Sequence, residues 1–95
     1  MPAYIVVDLE VLDRERYESY KLLVSPTLES YSGRFLVRGG KVETLEGGWS
    51  PERFVILEFP SVEKARAWWD SPEYEKAKII RQETARSRII LVEGV

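Results

Sequence analysis

Apolar residues alternate with polar or outward positions along Ala3 to Val11, where Ile5, Val7, Leu9 and Val11 share one side. A period of two with β-branched residues predicts a strand. The period then lengthens. Tyr17, Tyr20, Val24, Leu28 and Tyr31 recur at helical spacing behind Asp13, a residue suited to cap a helix N-terminus. Ser25-Pro26 interrupts that pattern and predicts a kink or a restarted helix, and Ser32-Gly33 ends it, glycine being favoured there. Arg34 to Arg38 reads as the second strand, broken by Gly39-Gly40. Lys41 to Pro51 is polar and glycine-rich and reads as a long connection. Arg53 to Phe59 is the third strand, stopped by Pro60. Ser61 predicts a cap for a short helix through Ala65, Trp68 and Trp69, and Ser71-Pro72 opens another through Tyr74, Ala77 and Ile80. Ser87 to Glu93 is the last strand.

The predicted order is β-α-β-β-α-β with the second helix broken in two. That is the split βαβ, ferredoxin-like arrangement of the α+β class: one antiparallel sheet with helices on one face, as a single domain over residues 1–95. An open sheet face normally carries polar residues at alternate positions. Here Ile89 and Leu91 back onto Ile90 and Val92, and Phe54 and Ile56 back onto Val55, Leu57 and Phe59. Both sides of the sheet call for burial, which points to a homodimer stacked through the sheet face.

Composition narrows the chemistry. The 95 residues contain no cysteine and no histidine. Thiolate zinc sites, iron–sulfur clusters, cysteine nucleophiles, serine–histidine triads and imidazole metal sites are therefore excluded. No metal and no cofactor are expected, since the carboxylates do not cluster at ligand spacing. The net charge is -2, from 14 basic and 16 acidic side chains, which argues against a nucleic-acid or membrane-surface binder. Apolar runs are short, the first residues lack a signal-peptide pattern, and a cytoplasmic location is the expectation.

The residues now carry a family likeness. Phe35-Leu36-Val37-Arg38-Gly39-Gly40, Leu45-Glu46-Gly47-Gly48-Trp49, Val55-Ile56-Leu57-Glu58-Phe59-Pro60-Ser61, Ala67-Trp68-Trp69-Asp70-Ser71-Pro72-Glu73-Tyr74 and Ile80-Arg81 stand in order over nearly the whole chain. In these segments the chain resembles the domain-of-unknown-function 1330 family, of the dimeric α/β-barrel superfamily. Trp69 departs from that pattern, standing where a smaller aromatic such as tyrosine is expected. The resemblance implies a ferredoxin-like protomer and a homodimer, and brings no established activity. The wider superfamily includes cofactor-independent monooxygenases and isomerase-type enzymes, several of them dependent on a histidine that is absent here.

Candidate site chemistry rests on arginine, glutamate, tyrosine and tryptophan. Arg38, beside two glycines that allow close approach, offers a planar fork for an anion. The competing reading is a structural pair with Glu58 on the neighbouring strand; an unpaired Glu58 would be the best catalytic base. Trp49 could stack on a ligand, cover the dimer seam or cap a core. Trp68 and Trp69 point in different directions, so one packs on the sheet and the other lines a cavity or a helix junction. Tyr74 and Arg81, two turns apart on one helix face, suit an anionic aromatic or acyl ligand; the alternative is a surface stripe in which Arg81 pairs with Glu73 or Glu75 or with a helix C-terminus. Tyr17, Tyr20 and Tyr31 read as core face. Three functions stand beside one another: a protein binding a small ligand, anionic or aromatic, through Arg38, Trp49, Trp68, Tyr74 and Arg81; as the resemblance implies, a cofactor-independent enzyme of the same superfamily, monooxygenase- or isomerase-like, with Glu58 as base; and a structural dimer without ligand.

Overall fold

A computed structural model describes residues 1–95. Its elements are β1 (Ala3–Val11), α1 (Arg14–Glu29), β2 (Arg34–Arg38), β3 (Arg53–Phe59), α2 (Val62–Trp69), α3 (Pro72–Thr84) and β4 (Ala85–Glu93). The four strands form one antiparallel sheet in the order β2-β3-β1-β4. This is the ferredoxin-like α+β architecture, and it follows from the alternation in β1. Ile5 pairs with Leu57 and Leu91 on the face covered by the helices, while Val6 pairs with Ile56 and Ile90 on the opposite face. The core sits between sheet and helices and joins Ile5, Leu57 and Phe59 to Val24, Leu28, Ala65, Trp68, Tyr74 and Ala77. On the uncovered face Ile90 is 59% and Val92 41% exposed.

Capping fixes the helices. Asp13, Ser61 and Ser71 accept hydrogen bonds from the backbone N–H groups of Arg16, Lys64 and Tyr74, each three residues on. Helix α1 runs unbroken through Pro26, against the kink or restart that Ser25-Pro26 predicts. Pro26 lies in the last part of the helix, so only a few residues follow the hydrogen bond it removes, and packing of Val24 and Leu28 in the core holds the turn. At the end of α1 it is Ser32, not Gly33, that takes a left-handed conformation, with φ of 58°. Gly33 is needed for a different reason: a Cβ there would lie 2.5 Å from Cε1 of the buried Phe59 ring. The last strand starts two residues before the predicted Ser87. Helix α3 passes directly into it, and the Thr84 carbonyl accepts from the N–H groups of Leu12 and Asp13.

A bulge in β2 decides which side chains reach the site. Arg34 pairs with Glu58 and Phe35 with Leu57, but the register then shifts and Val37 pairs with Ile56 and Arg38 with Val55. Simple alternation would put Arg34, Leu36 and Arg38 on one face. The extra residue instead turns Arg38 to the helix face, away from Glu58.

Candidate functional site

Between α1, α3 and the sheet lies a cavity of about 30 Å³. Its apolar wall is built by Ile5, Val7, Leu57 and Ile89 from the strands, Val24 from α1, and Trp68 and Trp69 from α2. Its polar lining is four cationic side chains, Lys21, Arg38, Arg53 and Arg81, and three tyrosines, Tyr17, Tyr20 and Tyr74; no carboxylate reaches it.

Local structure places these groups. Tyr74 stands in the first turn of α3, where Ser71 Oγ accepts from its N–H at 3.1 Å and donates to the Trp68 carbonyl at 2.8 Å. That bridge locks α2 to α3 and stacks the Tyr74 ring on Trp68, with centroids 4.0 Å apart. The Trp68 indole N–H donates to Thr27 Oγ1 at 3.0 Å, so Trp68 is a fixed pillar of the core as well as a cavity wall. Two turns along α3, Arg81 returns to the same face. Its Nε donates to the Tyr74 hydroxyl at 3.2 Å and its Nη1 to Ser87 Oγ at 3.1 Å. The Tyr74 and Tyr20 hydroxyls are 3.1 Å apart. At the other end Arg53 Nε donates to the Tyr17 hydroxyl at 3.2 Å, and Arg38 Nη2 donates to the Lys21 carbonyl at 2.9 Å while its guanidinium lies 4.2 Å from the Phe35 ring centroid. Gly39, at φ of 72°, leaves the space that the Arg53 guanidinium fills.

The charge on Arg81 is the decisive feature. Arg81 is only 4% exposed. The chain's five ion pairs use Arg16, Lys21, Arg34, Arg86 and Arg88, and none uses Arg81, Arg53 or Arg38. Glu73, one expected partner of Arg81, instead accepts from the Tyr31 hydroxyl at 2.7 Å. Buried charges are ordinarily paired, because removing an ion from water costs several kcal/mol, of order 20 kcal/mol for an ideal low-dielectric interior. Neutral hydroxyls satisfy Arg81's geometry without neutralising its charge.

Two of the cavity tyrosines, Tyr17 and Tyr20, are held more firmly in the protonated form than a free tyrosine. Burial raises the Tyr17 pKa, opposed in part by the nearby Arg53 charge. Burial also raises Tyr20 well above its ordinary value, with the neighbouring Tyr74 adding to the shift and Arg81 opposing it. Hydroxyls and guanidinium groups together form an array of hydrogen-bond donors able to hold an anion.

Two sequence candidates lie elsewhere. Glu58 is on the uncovered face and binds Arg34, with Oε1 accepting from Nε at 2.7 Å and lying 2.6 Å from Nη2. The expected Arg38–Glu58 pair is therefore replaced by Arg34–Glu58, and Glu58 is not a cavity base. Trp49 also lies on the uncovered face, where its indole N–H donates to Asp8 Oδ2 at 2.9 Å and its ring meets Phe54 edge-on. It shares no wall with the four other candidates, Arg38, Trp68, Tyr74 and Arg81, which the fold does bring to one cavity. Four polar cavity residues were not singled out from the sequence as ligand contacts: Tyr17, Tyr20, Lys21 and Arg53. Arg53 had a signal, since it falls in phase with Val55 and Leu57 on the buried side of β3. No group of three or more aspartate or glutamate side chains is placed to hold a metal ion.

Comparison with known proteins defines the class first. Solved structures of similar fold include a protein of unknown function from Rhodopseudomonas palustris (20% identity, 99% of this chain and 82% of that one, TM-score 0.77). A dimeric ferredoxin-like protein of unknown function from Jannaschia sp. CCS1 matches with 14% identity over 99% of this chain and 100% of that one, TM-score 0.74. A cofactor-independent oxygenase from Streptomyces nogalater matches with 13% identity over 99% and 93%, TM-score 0.59. At these identities the likeness is one of fold. The model of the domain of unknown function DUF1330 matches residues 2–95, and the chain belongs to that family. No curated protein matches it. No helix is long and apolar enough to cross a membrane.

Proposed function

We propose that this protein binds a small anionic ligand in the cavity between its helices and sheet, as a homodimer stacked through the uncovered sheet face. The observation that carries the ligand reading is Arg81: a buried cation without a carboxylate partner, in a chain of net charge -2 whose cavity is lined by four cations and no acid. An incoming carboxylate would supply the missing counter-charge, with Arg81 as anchor, Tyr74 and Tyr20 as hydrogen-bond donors, Trp68 as apolar wall and Arg38 at the rim. The polar lining consists of cations and hydroxyls with no carboxylate among them, so the site is suited to holding an anion rather than to abstracting a proton. As the side chains stand, 30 Å³ admits one or two waters or a slim anionic head, far less than the ~300–1,000 Å³ of a drug-sized pocket.

The dimer is supported by the exposed Ile90 and Val92 beside Val6 and Ile56, and by the dimeric ferredoxin-like relative from Jannaschia. The ligand reading is tested by thermal shift with acetate, benzoate and inorganic phosphate, with benzamide as the uncharged control. A carboxylate at saturation raises Tm in the wild type and not in Arg81→Met. Equal responses to benzoate and benzamide, or equal responses in both proteins, refute it.

A further inference from the structure

A second, larger groove lies against the cavity. It measures about 420 Å³ and runs between the end of α2 and the edge strand β4. Groove and cavity share three wall residues, Ile5, Trp69 and Ile89. Ile5 and Ile89 belong to paired strands and form the common floor. Trp69, the last residue of α2, is the remaining wall between the two spaces. It differs from its neighbour in how it is held. The Trp68 indole is tied to Thr27, whereas Trp69 is half-buried and held by ring contacts: Tyr74 at 6.0 Å, Trp68 at 6.5 Å, the Lys78 ammonium at 4.4 Å and the Arg81 guanidinium at 5.6 Å from its centroid. The groove lining is mostly apolar, and its two charged members, Arg66 and Asp70, offset each other.

We propose that Trp69 is the residue that sets the size of ligand this site accepts, and that the ligand class is a monocarboxylic acid with a flat apolar body. The carboxylate binds Arg81 at the inner end; the body displaces the Trp69 indole and lies in the groove over Ile5 and Ile89. This rests on the anion-binding reading of Arg81 and adds to it the path and the shape of the ligand. The groove is of the size that holds a molecule of drug-like dimensions, which the inner cavity alone is not. A dianion is not favoured, because the groove carries no net charge to meet a second anionic group. A tryptophan at this wall narrows the passage, and a smaller side chain widens it.

The test is a set of titrations followed by amide chemical shifts, with acetate as head alone, 2-naphthoate as head plus flat body, and 2-naphthamide as body without charge. In Trp69→Ala the affinity for 2-naphthoate rises at least tenfold over wild type, while the affinity for acetate changes less than threefold. Trp69→Tyr, a milder change that preserves packing on Tyr74, gives an intermediate gain of about threefold and serves if the alanine variant does not fold. Arg81→Met loses both anions. If both acids bind through Arg81 but Trp69 variants shift them equally, the wall and the groove are wrongly assigned and the anion site stands. If 2-naphthamide binds as well as 2-naphthoate, the charge on Arg81 does not select the ligand and the monocarboxylate assignment falls. If neither acid binds any of the proteins, both the groove and the anion site are refuted.

Discussion

Replacing Arg81 by methionine separates a residue kept for function from one kept for stability. Arg81 donates two hydrogen bonds, to Tyr74 and Ser87, and its guanidinium approaches the Trp69 ring. Hydrogen bonds from a charged group contribute about 1.5–3 kcal/mol each, and the ring contact about 1 kcal/mol. Against these stands the desolvation of a cation that is 4% exposed and has no anionic partner, a penalty of several kcal/mol. Methionine fills a similar volume without that penalty, and the Tyr74 hydroxyl keeps Tyr20 as a partner. The balance predicts a change between zero and a gain of about 2 kcal/mol for Arg81→Met, because buried ionic groups replaced by apolar ones are often neutral to stabilising. At roughly 4–8 °C per kcal/mol for a chain of this size, Tm should hold or rise by up to about 15 °C. Arg81→Lys retains the charge but loses the fork and should be less stable than Arg81→Met. Denaturant unfolding at fixed protomer concentration measures this, since a dimer's stability depends on concentration. A loss of more than about 3 kcal/mol in Arg81→Met is the signature of stranding a buried partner, and would refute the claim that the charge is uncompensated.

Other predictions follow from single contacts. Gly33→Ala drives a methyl group into the Phe59 ring and should cost about 1–3 kcal/mol in chemical denaturation, whereas Gly40→Ala, in open space, should be neutral within about 0.5 kcal/mol. The Tyr17 and Tyr20 pKa values are raised on folding, so these groups leave stability unchanged below the ordinary tyrosine value of 10.0. Above it the unfolded chain ionises first and stability falls as pH rises towards the folded-state values. Tyr20→Phe should flatten that alkaline decline, and an unchanged slope in base titration would remove Tyr20 as its source. Arg34→Ala breaks a pair whose arginine is well exposed, so it should cost at most about 1 kcal/mol and leave benzoate binding intact. Ile90→Lys on the uncovered face should shift the protein from a dimer to a monomer of 11.0 kDa in light scattering; a protein already of that mass before substitution would contradict the dimer.

The strands and helices were legible because their patterns are local. The period-two face of β1, the serine caps and the Pro-first start of α3 each rest on residues within a few positions of one another. Tyr74 and Arg81 were legible as a pair for the same reason, being two turns apart on one helix. Which partner each charge takes was less legible. The bulge in β2 arises from pairing with β3, and nothing between Arg34 and Arg38 marks it, so alternation wrongly joined Arg38 to Glu58. Trp49 sits on a loop, and the partner its indole takes, Asp8, is 41 residues away in the chain. The continuity of α1 through Pro26 is likewise decided by packing, which outweighs a local propensity near a helix end.

The most direct measurement follows the Arg81 side chain itself during titration with benzoate. Its Nε–H resonance, identified by its absence from the Arg81→Met spectrum, should shift saturably with ligand concentration. The Nε–H resonances of Arg34 and Arg88, on the uncovered face, should stay fixed. Benzoate moving the Arg34 and Arg88 signals while leaving Arg81 unchanged would contradict the account.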